Sequence, residues 1–280
     1  MSNKVLKPKK ASLYQFTQKY SNNIDNCIEF FKSMKWPEGF SCDRCGCHKY
    51  YLVKRVGKTK TSYVLECSSC HKQHSLLSGT IFQSCKIDLY KLLLGIFLFF
   101  NENKGISAVD LCSILDVNYK TALLLENKCR ILMSLSNSDK LLNSLFYEAD
   151  VFNIGAKSKN KAGRASEQQP ILGILSTDKE NNYPRFIKLR VITDYTGLSL
   201  KKNIEKCCVL SHDALLNTDG EKGFNTLNEE IQVKNEKISY EEKDHRLLWL
   251  NIIIGNIKNN ITGIYHGITK REMPLFLNEQ

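Results

Sequence analysis

Apolar positions in the first part of this 280-residue chain repeat as they do in helices. The longest apolar run, Leu92–Phe100, is nine residues, which predicts a core helix over 87–101 rather than a membrane span of about 20 residues. Apolar residues that lie mostly on one side predict a short helix over 106–115 and a second over 119–133, joined by a compact turn. A polar, turn-rich stretch then marks a boundary at 134–145.

The part after this boundary begins with strands. The pattern predicts strands at 145–155, 170–176 and 185–192, the last two as a meander, then a helix at 198–206, a short strand at 214–219 and a helix at 247–261. Asp150 lies inside the first strand and Asp219 ends the fourth. This order is typical of a ribonuclease-H-like fold, in which two strand-borne carboxylates hold two divalent cations for phosphoryl transfer. Asp219-Gly220 is equally typical of an ordinary turn.

Charge separates the same two parts. Residues 1–149 carry a net charge of +9 and residues 150–280 a net charge of +2. A basic first half favours a polyanion-binding module joined to something else, although a solubility charge or a codon bias toward Lys and Asn would give the same excess. The basic start without an apolar stretch predicts no secretory signal, hence a chain that stays inside a cell.

The eleven cysteines are unusual for this length, and four of them form two matched pairs. Two CxxC pairs, with 21 residues between them, aim two thiolates each at one point and predict one closed, structural zinc site on a zinc ribbon, with ligands Cys42, Cys45, Cys67 and Cys70. Strands at 49–55 and 61–67 fit a ribbon. The nearby side chains that could compete for the metal are Cys47, His48, His71 and His74.

The helix pair on either side of 116–118 indicates a helix-turn-helix in a basic region. An ordinary pair of packed core helices would show the same pattern. If the pair binds DNA, the polar residues of its second helix that would contact DNA are Lys120, Thr121, Lys128 and Arg130.

Six segments in order give the chain a resemblance to the bacterial ISXO2-like insertion-sequence transposases, which join a zinc ribbon to a DDE-type transposase domain. They are CDRCGCHKYY, CSSCHKQHSLLSGTIF, KGISAVDLCSILDVNYKTA, EADVFNIGAKSKNKAGR, NTDGEKGF and WLNIIIGNIKNNITGIYHGITK, within residues 25–280. The resemblance implies an α+β multidomain protein. Its regions would be a basic arm (1–24), a zinc ribbon (25–85), a helix-turn-helix region (86–135) and a ribonuclease-H-like domain (145–280).

The resemblance also implies the catalytic residues. The two Asp of the family correspond to Asp150 and Asp219, and the third metal-site position followed seven residues later by Lys corresponds to Asn251 and Lys258. Asn256 and Asn259 are nearby competitors for Asn251. The implied cofactors are one structural zinc and two catalytic Mg²⁺ or Mn²⁺ ions.

Three departures from the family pattern leave two functions open. Val151 follows the first Asp where relatives are often acidic, Gly155-Ala156 replaces a glycine pair, and the sequence ends at 278–280 where relatives commonly continue, which suggests a truncated or decaying copy. The first function is an active transposase that binds element ends and target DNA, as a homo-oligomer without a membrane partner, in the bacterial cytoplasm or on the nucleoid. The alternative is a catalytically inactive remnant that only binds DNA.

Overall fold

A computed structural model describes residues 11–57, 61–102, 105–137, 141–155, 168–178, 183–235, 247–265 and 268–279. The chain divides into two compact units, Met1–Cys129 and Arg130–Gln280. Each unit is considered by itself below.

Helices and a small sheet make up the first unit. Its helices are α1 (Leu13–Tyr20), α2 (Ile24–Lys35), α3 (Leu89–Asn101), α4 (Ala108–Leu115) and the larger part of α5 (Tyr119–Asn137). The helices predicted from the apolar pattern correspond to α3, α4 and α5. The residues predicted as a basic arm include α1, whose Phe16 is buried and stacks on Phe97 of α3 with ring centroids 4.2 Å apart. A Ser12 capping box begins α1, because Ser12 and Gln15 satisfy each other's backbone N–H groups.

A three-stranded antiparallel sheet carries the cysteine pairs. Its strands, β1 (Tyr50–Val56), β2 (Thr61–Cys67) and β3 (Gln73–Ser75), lie in the order β1-β2-β3. The sequence predicts the first two strands correctly, whereas three residues are too few for β3 to show a period.

The second unit is built on a five-stranded sheet of β4 (Phe146–Ile154), β5 (Gln169–Asp178), β6 (Tyr183–Val191), β7 (Leu215–Thr218) and β8 (Gln232–Asn235), in the order β6-β5-β4-β7-β8. Strands β4, β5 and β6 form an antiparallel meander, and β4, β7 and β8 run parallel. The parallel strands are joined by helices, as parallel connections require.

Alternating residues of β4 and β5 pack into two separate hydrophobic cores, because successive side chains of a strand point to opposite faces of the sheet. On one face, Tyr147 and Ala149 pack with α6 (Gly197–Glu205) and the 3-10 helix Lys222–Leu227. On the other face, Phe152 and Ile154 pack with α7 (Leu248–Gly263) and α8 (Met273–Leu277). A mixed sheet in this strand order with helices on both faces is the ribonuclease-H-like fold, which confirms the predicted fold class.

Within the part of the chain that the structure describes, no helix is both long and apolar enough to cross a membrane. Much of the apolar run of α3 is instead buried, with Leu92, Leu93, Leu98 and Phe99 in the core and Phe100 exposed. Gly95 lies where α3 meets Leu115 and Leu125, and a Cβ built on it would come within 2.5 Å of the Leu125 side chain and 2.9 Å of the Leu115 side chain.

Replacing Gly95 with Ala should therefore destabilise the first unit by about 1–3 kcal/mol, because the added methyl overpacks this contact. Thermal unfolding of the purified protein measures the change. Gly255 in α7 is the matched control, since a Cβ there meets nothing within 4 Å. Gly255→Ala should leave stability unchanged or raise it by about 1 kcal/mol, as expected for a helix interior. Equal effects of the two substitutions would contradict the packing described for Gly95.

Candidate functional site

The four predicted zinc ligands converge in the first unit. The sulfur atoms of Cys42, Cys45, Cys67 and Cys70 all lie within 4.8 Å of one another, and all four cysteines are free thiols. The Cys42–Cys70 and Cys45–Cys67 sulfurs are 3.6 Å and 3.5 Å apart. These separations are too long for a disulfide of about 2.05 Å. They are close to the roughly 3.8 Å between sulfurs that a tetrahedral site with about 2.3 Å Zn–S bonds requires, so the donor set fits a zinc ion.

Both CxxC pairs lie in turns with the same backbone hydrogen bond, so the two pairs present their thiols in the same way. The N–H of Gly46 donates to the carbonyl of Cys42 at 2.8 Å, and the N–H of His71 donates to the carbonyl of Cys67 at 3.0 Å. Gly46 and His71 both have positive φ, 70° and 57°. Each turn thereby folds back on its first cysteine and brings both thiols to one side.

The pKa of Cys42 is lowered within the thiol cluster, whereas the pKa of Cys45 and of Cys67 is raised. For Cys45 and Cys67, backbone hydrogen bonds lower the pKa, but hydrogen bonds with neighbouring thiols and burial outweigh them. Burial raises the pKa of Cys42, but hydrogen bonds from the backbone of Arg44 and Cys45 and from His74 and Cys70 outweigh burial and lower the pKa to about 6. A lowered pKa favours the thiolate, which is the form that binds zinc.

The predicted competitors have other partners. Cys47 contacts Ser68 with its sulfur, His48 contacts the Phe40 carbonyl, and His71 contacts Glu66. His74 is buried and has its Nδ1 3.7 Å from an Asp43 carboxylate oxygen, so that Cys42, Asp43 and His74 form a second, overlapping group of possible ligands. The four-thiol set is the one that closes a tetrahedron.

In the second unit, strand register determines where Asp150 and Asp219 lie. The parallel pairing of β4 with β7 sets Glu148 beside Asn217 and Ala149 beside Thr218. Asp219 directly follows Thr218, so it is level with Asp150 in this register. Paired residues of neighbouring strands share a face, and this face is the one that packs against α7. The sheet thus presents both predicted carboxylates side by side at the end of β7.

The electrostatics of Asp150 reflect this proximity. Burial is the main cause that raises its pKa, and the charges of Asp219 and Glu221 raise it further. The N–H of Val151, which donates to Asp150 Oδ1 at 2.7 Å, and the charge of Lys258 act in the opposite direction. A half-buried carboxylate beside another carboxylate is a place where a bound cation would relieve repulsion.

Sequence reasoning missed Glu221, although it is only two residues after Asp219. The chain reverses at Gly220, which has φ 67°, and Asn235 of β8 holds the turn by donating to the Glu221 carbonyl at 2.9 Å. Among the described residues, Asp150, Asp219 and Glu221 do not form a set with oxygens all within 4.8 Å of one another. Glu221 thus adds negative potential without completing a close carboxylate triad.

Helix α7 carries the other two predicted residues, Asn251 and Lys258, and both are exposed. Its buried stripe packs on β4 and β5 and consists of Leu250, Ile254, Ile257 and Ile261. At about 100° per residue, Asn251 and Lys258 lie about 20° apart and border this stripe on one side. The ammonium group of Lys258 is 5.7 Å from the ring centre of Phe152, two residues after Asp150 in β4. Asn256 lies about 130° from the centre of the stripe and Asn259 nearly opposite it, so both point away from the sheet.

Another buried side chain links β4 to the start of α7. Glu148 is 4% exposed, and its Oε2 accepts a hydrogen bond from the N–H of Leu250 at 2.9 Å. Burial raises the pKa of Glu148 to about 7, and the hydrogen bond from Leu250 offsets part of this rise. No local sequence pattern indicates a role for Glu148, because its partner lies about a hundred residues later.

The predicted DNA-contacting residues divide into two groups. Lys120 is exposed and Thr121 half-buried in the first turn of α5, which follows the turn after α4 as predicted. Lys128 instead directs its ammonium group to the carbonyls of Ile81 and Gln83, at 2.5 Å and 3.0 Å. A lysine whose ammonium group binds two backbone carbonyls is poorly placed to bind phosphate, so these contacts argue against the predicted role of Lys128.

The prediction for Arg130 is wrong. Its side chain is 7% exposed and pairs with Glu279 at 2.9 Å. The guanidinium carbon also lies 5.2 Å from the ring centre of Tyr265 and 5.9 Å from that of Phe276. Arg130 is therefore a buried structural residue of the second unit.

Two protein families match separate parts of the chain. Residues 146–280 match the ISXO2-like transposase domain, and residues 23–73 match the transposase zinc-ribbon domain. The matched segments together make up about two thirds of the 280 residues. Among solved structures, the crystal structure of the catalytic core domain of BIV integrase is similar, with 16% sequence identity, a TM-score of 0.31, and coverage of 49% of this chain and 81% of that one. No curated protein matches the chain.

The cysteine geometry generates a test of the zinc site. Purified protein should contain about one zinc per chain. Cys42→Ser should lose it, because an alcohol is a far weaker zinc ligand than a thiolate. Elemental analysis measures the content, and Cys47→Ser is the matched control because Cys47 is a neighbouring cysteine that is not among the four converging sulfurs. Zinc retained in Cys42→Ser, or lost in Cys47→Ser, would contradict the assigned ligand set.

Proposed function

Because residues 146–280 match the ISXO2-like transposase domain and residues 23–73 the transposase zinc ribbon, we propose that the chain binds the ends of its mobile element and cuts and joins DNA strands there, using divalent cations held by Asp150 and Asp219. The observation that carries the proposal is the in-register pairing of β4 with β7. This pairing aligns two carboxylates on one face of the sheet, and the charge of Asp219 raises the pKa of Asp150. Two charges of the same sign held this closely favour a site for positively charged ligands.

The donor chemistry of this site fits Mg²⁺ or Mn²⁺, which prefer oxygen ligands. Asp150 and Asp219 would supply charged oxygens, and Asn251 would supply a neutral amide oxygen from α7. Two such cations, when bound, stabilise the attacking and the leaving oxygen of an in-line phosphoryl displacement.

Residues of this chain would orient the DNA around these cations. Lys258 lies on the same side of α7 as Asn251, and its charge acts on Asp150. It would bind a phosphate next to the reacting bond and hold the strand in place. The buried stripe of α7 fixes both residues relative to the sheet, which suits a reaction that depends on orientation.

The basic first half would supply most of the affinity for DNA. Its net charge of +9 favours phosphate contacts, and Lys120 and Thr121 stand at the N-terminus of α5, where the helix dipole also favours anions. We infer that the zinc site stabilises this DNA-binding region rather than taking part in catalysis, because four thiolates leave no open position on the metal. The protein would act as a homo-oligomer on paired element ends, on the bacterial nucleoid.

The first test concerns the two carboxylates. Asp150→Asn and Asp219→Asn should each abolish cleavage of element-end DNA in Mg²⁺ or Mn²⁺, because each removes charge that would hold a cation. Binding of the same DNA should persist. A nicking assay combined with a gel-shift assay measures both properties. If the unmodified protein binds element ends but cleaves nothing in either metal, the DNA-binding remnant becomes the better interpretation.

Positions on α7 provide the matched controls. Asn251→Glu should retain or raise activity, because it replaces a neutral oxygen donor with a charged one. Asn256→Ala should have little effect, because Asn256 points away from the sheet. A loss of activity in Asn256→Ala that equals the loss in Asn251→Ala would contradict the assignment of Asn251.

A separate test distinguishes the lysines of α5. Lys120→Ala should weaken DNA binding and reduce the slope of log affinity against log salt by about one unit, as expected for a lost phosphate contact. Lys128→Ala should leave the salt slope unchanged and lower the melting temperature, because its ammonium group neutralises two carbonyls within the fold. Fluorescence anisotropy at several salt concentrations measures the slope. A flatter slope in Lys128→Ala but not in Lys120→Ala would overturn this assignment.

A further inference from the structure

Glu148 is a buried carboxylate to which the proposed reaction assigns no role. It lies two residues before Asp150 on β4, so both side chains point to the face of the sheet that packs against α7. An ionisable group that is 4% exposed destabilises a fold unless its hydrogen bonds are satisfied. Its placement therefore requires a physical reason.

The reason lies at the N-terminus of α7. The first N–H groups of a helix have no partner within the helix, and the N-cap residue here, Leu247, has an apolar side chain that cannot accept one. The N–H of Leu250 belongs to this first turn and donates to Glu148 Oε2 at 2.9 Å. Glu148 thus caps α7 from a distant strand, at the positive end of the helix dipole, where an acceptor is most favourable.

This hydrogen bond joins the two segments that carry the proposed ligands. Glu148 is two residues from Asp150, and Leu250 directly precedes Asn251. We propose that Glu148 is a positioning residue, which sets the distance between Asp150 on the sheet and Asn251 on α7 without contacting metal or DNA itself. The proposal rests on the function proposed above.

Two small substitutions separate the effect of the length of the Glu148 side chain from the effect of its charge. Glu148→Gln keeps the length of the side chain and an oxygen that accepts from Leu250, but removes the ability to carry charge. Glu148→Asp keeps the carboxylate but shortens the side chain by one methylene, so that its oxygens retreat from the N–H of Leu250. A positioning role requires reach, whereas a metal-ligand role requires charge.

Binding of Mn²⁺ and metal-dependent cleavage are both measured on the full-length protein. Both should be nearly unchanged in Glu148→Gln and reduced in Glu148→Asp. Glu148→Gln should remain within about threefold of the unmodified protein in both. Glu148→Asp should bind Mn²⁺ about tenfold more weakly, the size of effect expected when one hydrogen bond that positions a ligand is lost. It should also cleave about a hundredfold more slowly, because misplacement of reacting groups by about 1 Å has effects of that size. The reverse order, with Gln inactive and Asp active, would show that Glu148 is a ligand and would overturn the proposal.

Hydrogen exchange of the Leu250 amide tests the same contact without any activity. Exchange should be about tenfold faster in Glu148→Asp than in Glu148→Gln. Ile261→Val is the control, since it weakens the packing of α7 away from the cap. Equal exchange in all variants would refute the capping contact even if the protein cleaves DNA. Fast exchange in Glu148→Asp alone, in a protein that neither binds Mn²⁺ nor cleaves, would instead refute the proposed function and leave the capping contact standing.

Discussion

Parallel pairing of β4 with β7 is the constraint on which the rest of the candidate site depends. The two strands are about 70 residues apart in sequence, and a shift of one residue would move the whole side-chain set of one strand to the opposite face. The apolar residues Tyr147, Ala149 and Leu216 all belong to the core that contains α6. Burial of these three residues therefore sets the register, and Asp150 and Asp219 fall on the opposite face as a consequence.

Repulsion between these two carboxylates has to be tolerated by the folded protein. Burial and the charge of Asp219 raise the pKa of Asp150, and Lys258 only partly offsets them. Neighbouring contacts hold the segment in place despite this repulsion. Thr218, which precedes Asp219, donates to Asn235 at 2.7 Å, and Asn235 in turn holds the Glu221 carbonyl. A negatively charged end of β7 that is held by these contacts is suited to a cation, which would supply the missing compensation.

The sequence was sufficient for features whose signal is local. The CxxC pairs predict the four-thiol cluster because each pair needs only one tight turn. The strands and helices predicted from apolar periodicity have bounds that mostly agree with the structure within a few residues. Elements that were not predicted include α1, α2, β8 and α8. Helix α1 contains a single buried side chain, and β8 and α8 are only four and five residues long, too short to show a clear period.

Features that depend on distant partners could not be predicted in this way. Arg130 looks like a DNA-binding residue in a basic helix, and only the folded chain shows its pairing with Glu279. The contacts of Lys128 could not be predicted for the same reason, since its carbonyl partners are more than forty residues earlier. The contact between Glu148 and Leu250 spans 102 residues. A single sequence reveals the type of each side chain, whereas tertiary packing determines what that side chain contacts.

Anomalous scattering from a crystal of the full-length protein soaked in Mn²⁺ tests the central claim most directly. The account predicts anomalous density between the carboxylates of Asp150 and Asp219, with the side-chain oxygen of Asn251 among its ligands. The same crystal should show zinc, identified at its own absorption edge, at the four cysteines. If the Asp150 and Asp219 carboxylates are well ordered and bind no Mn²⁺, or if the metal is held by other residues, the proposed catalytic site is wrong.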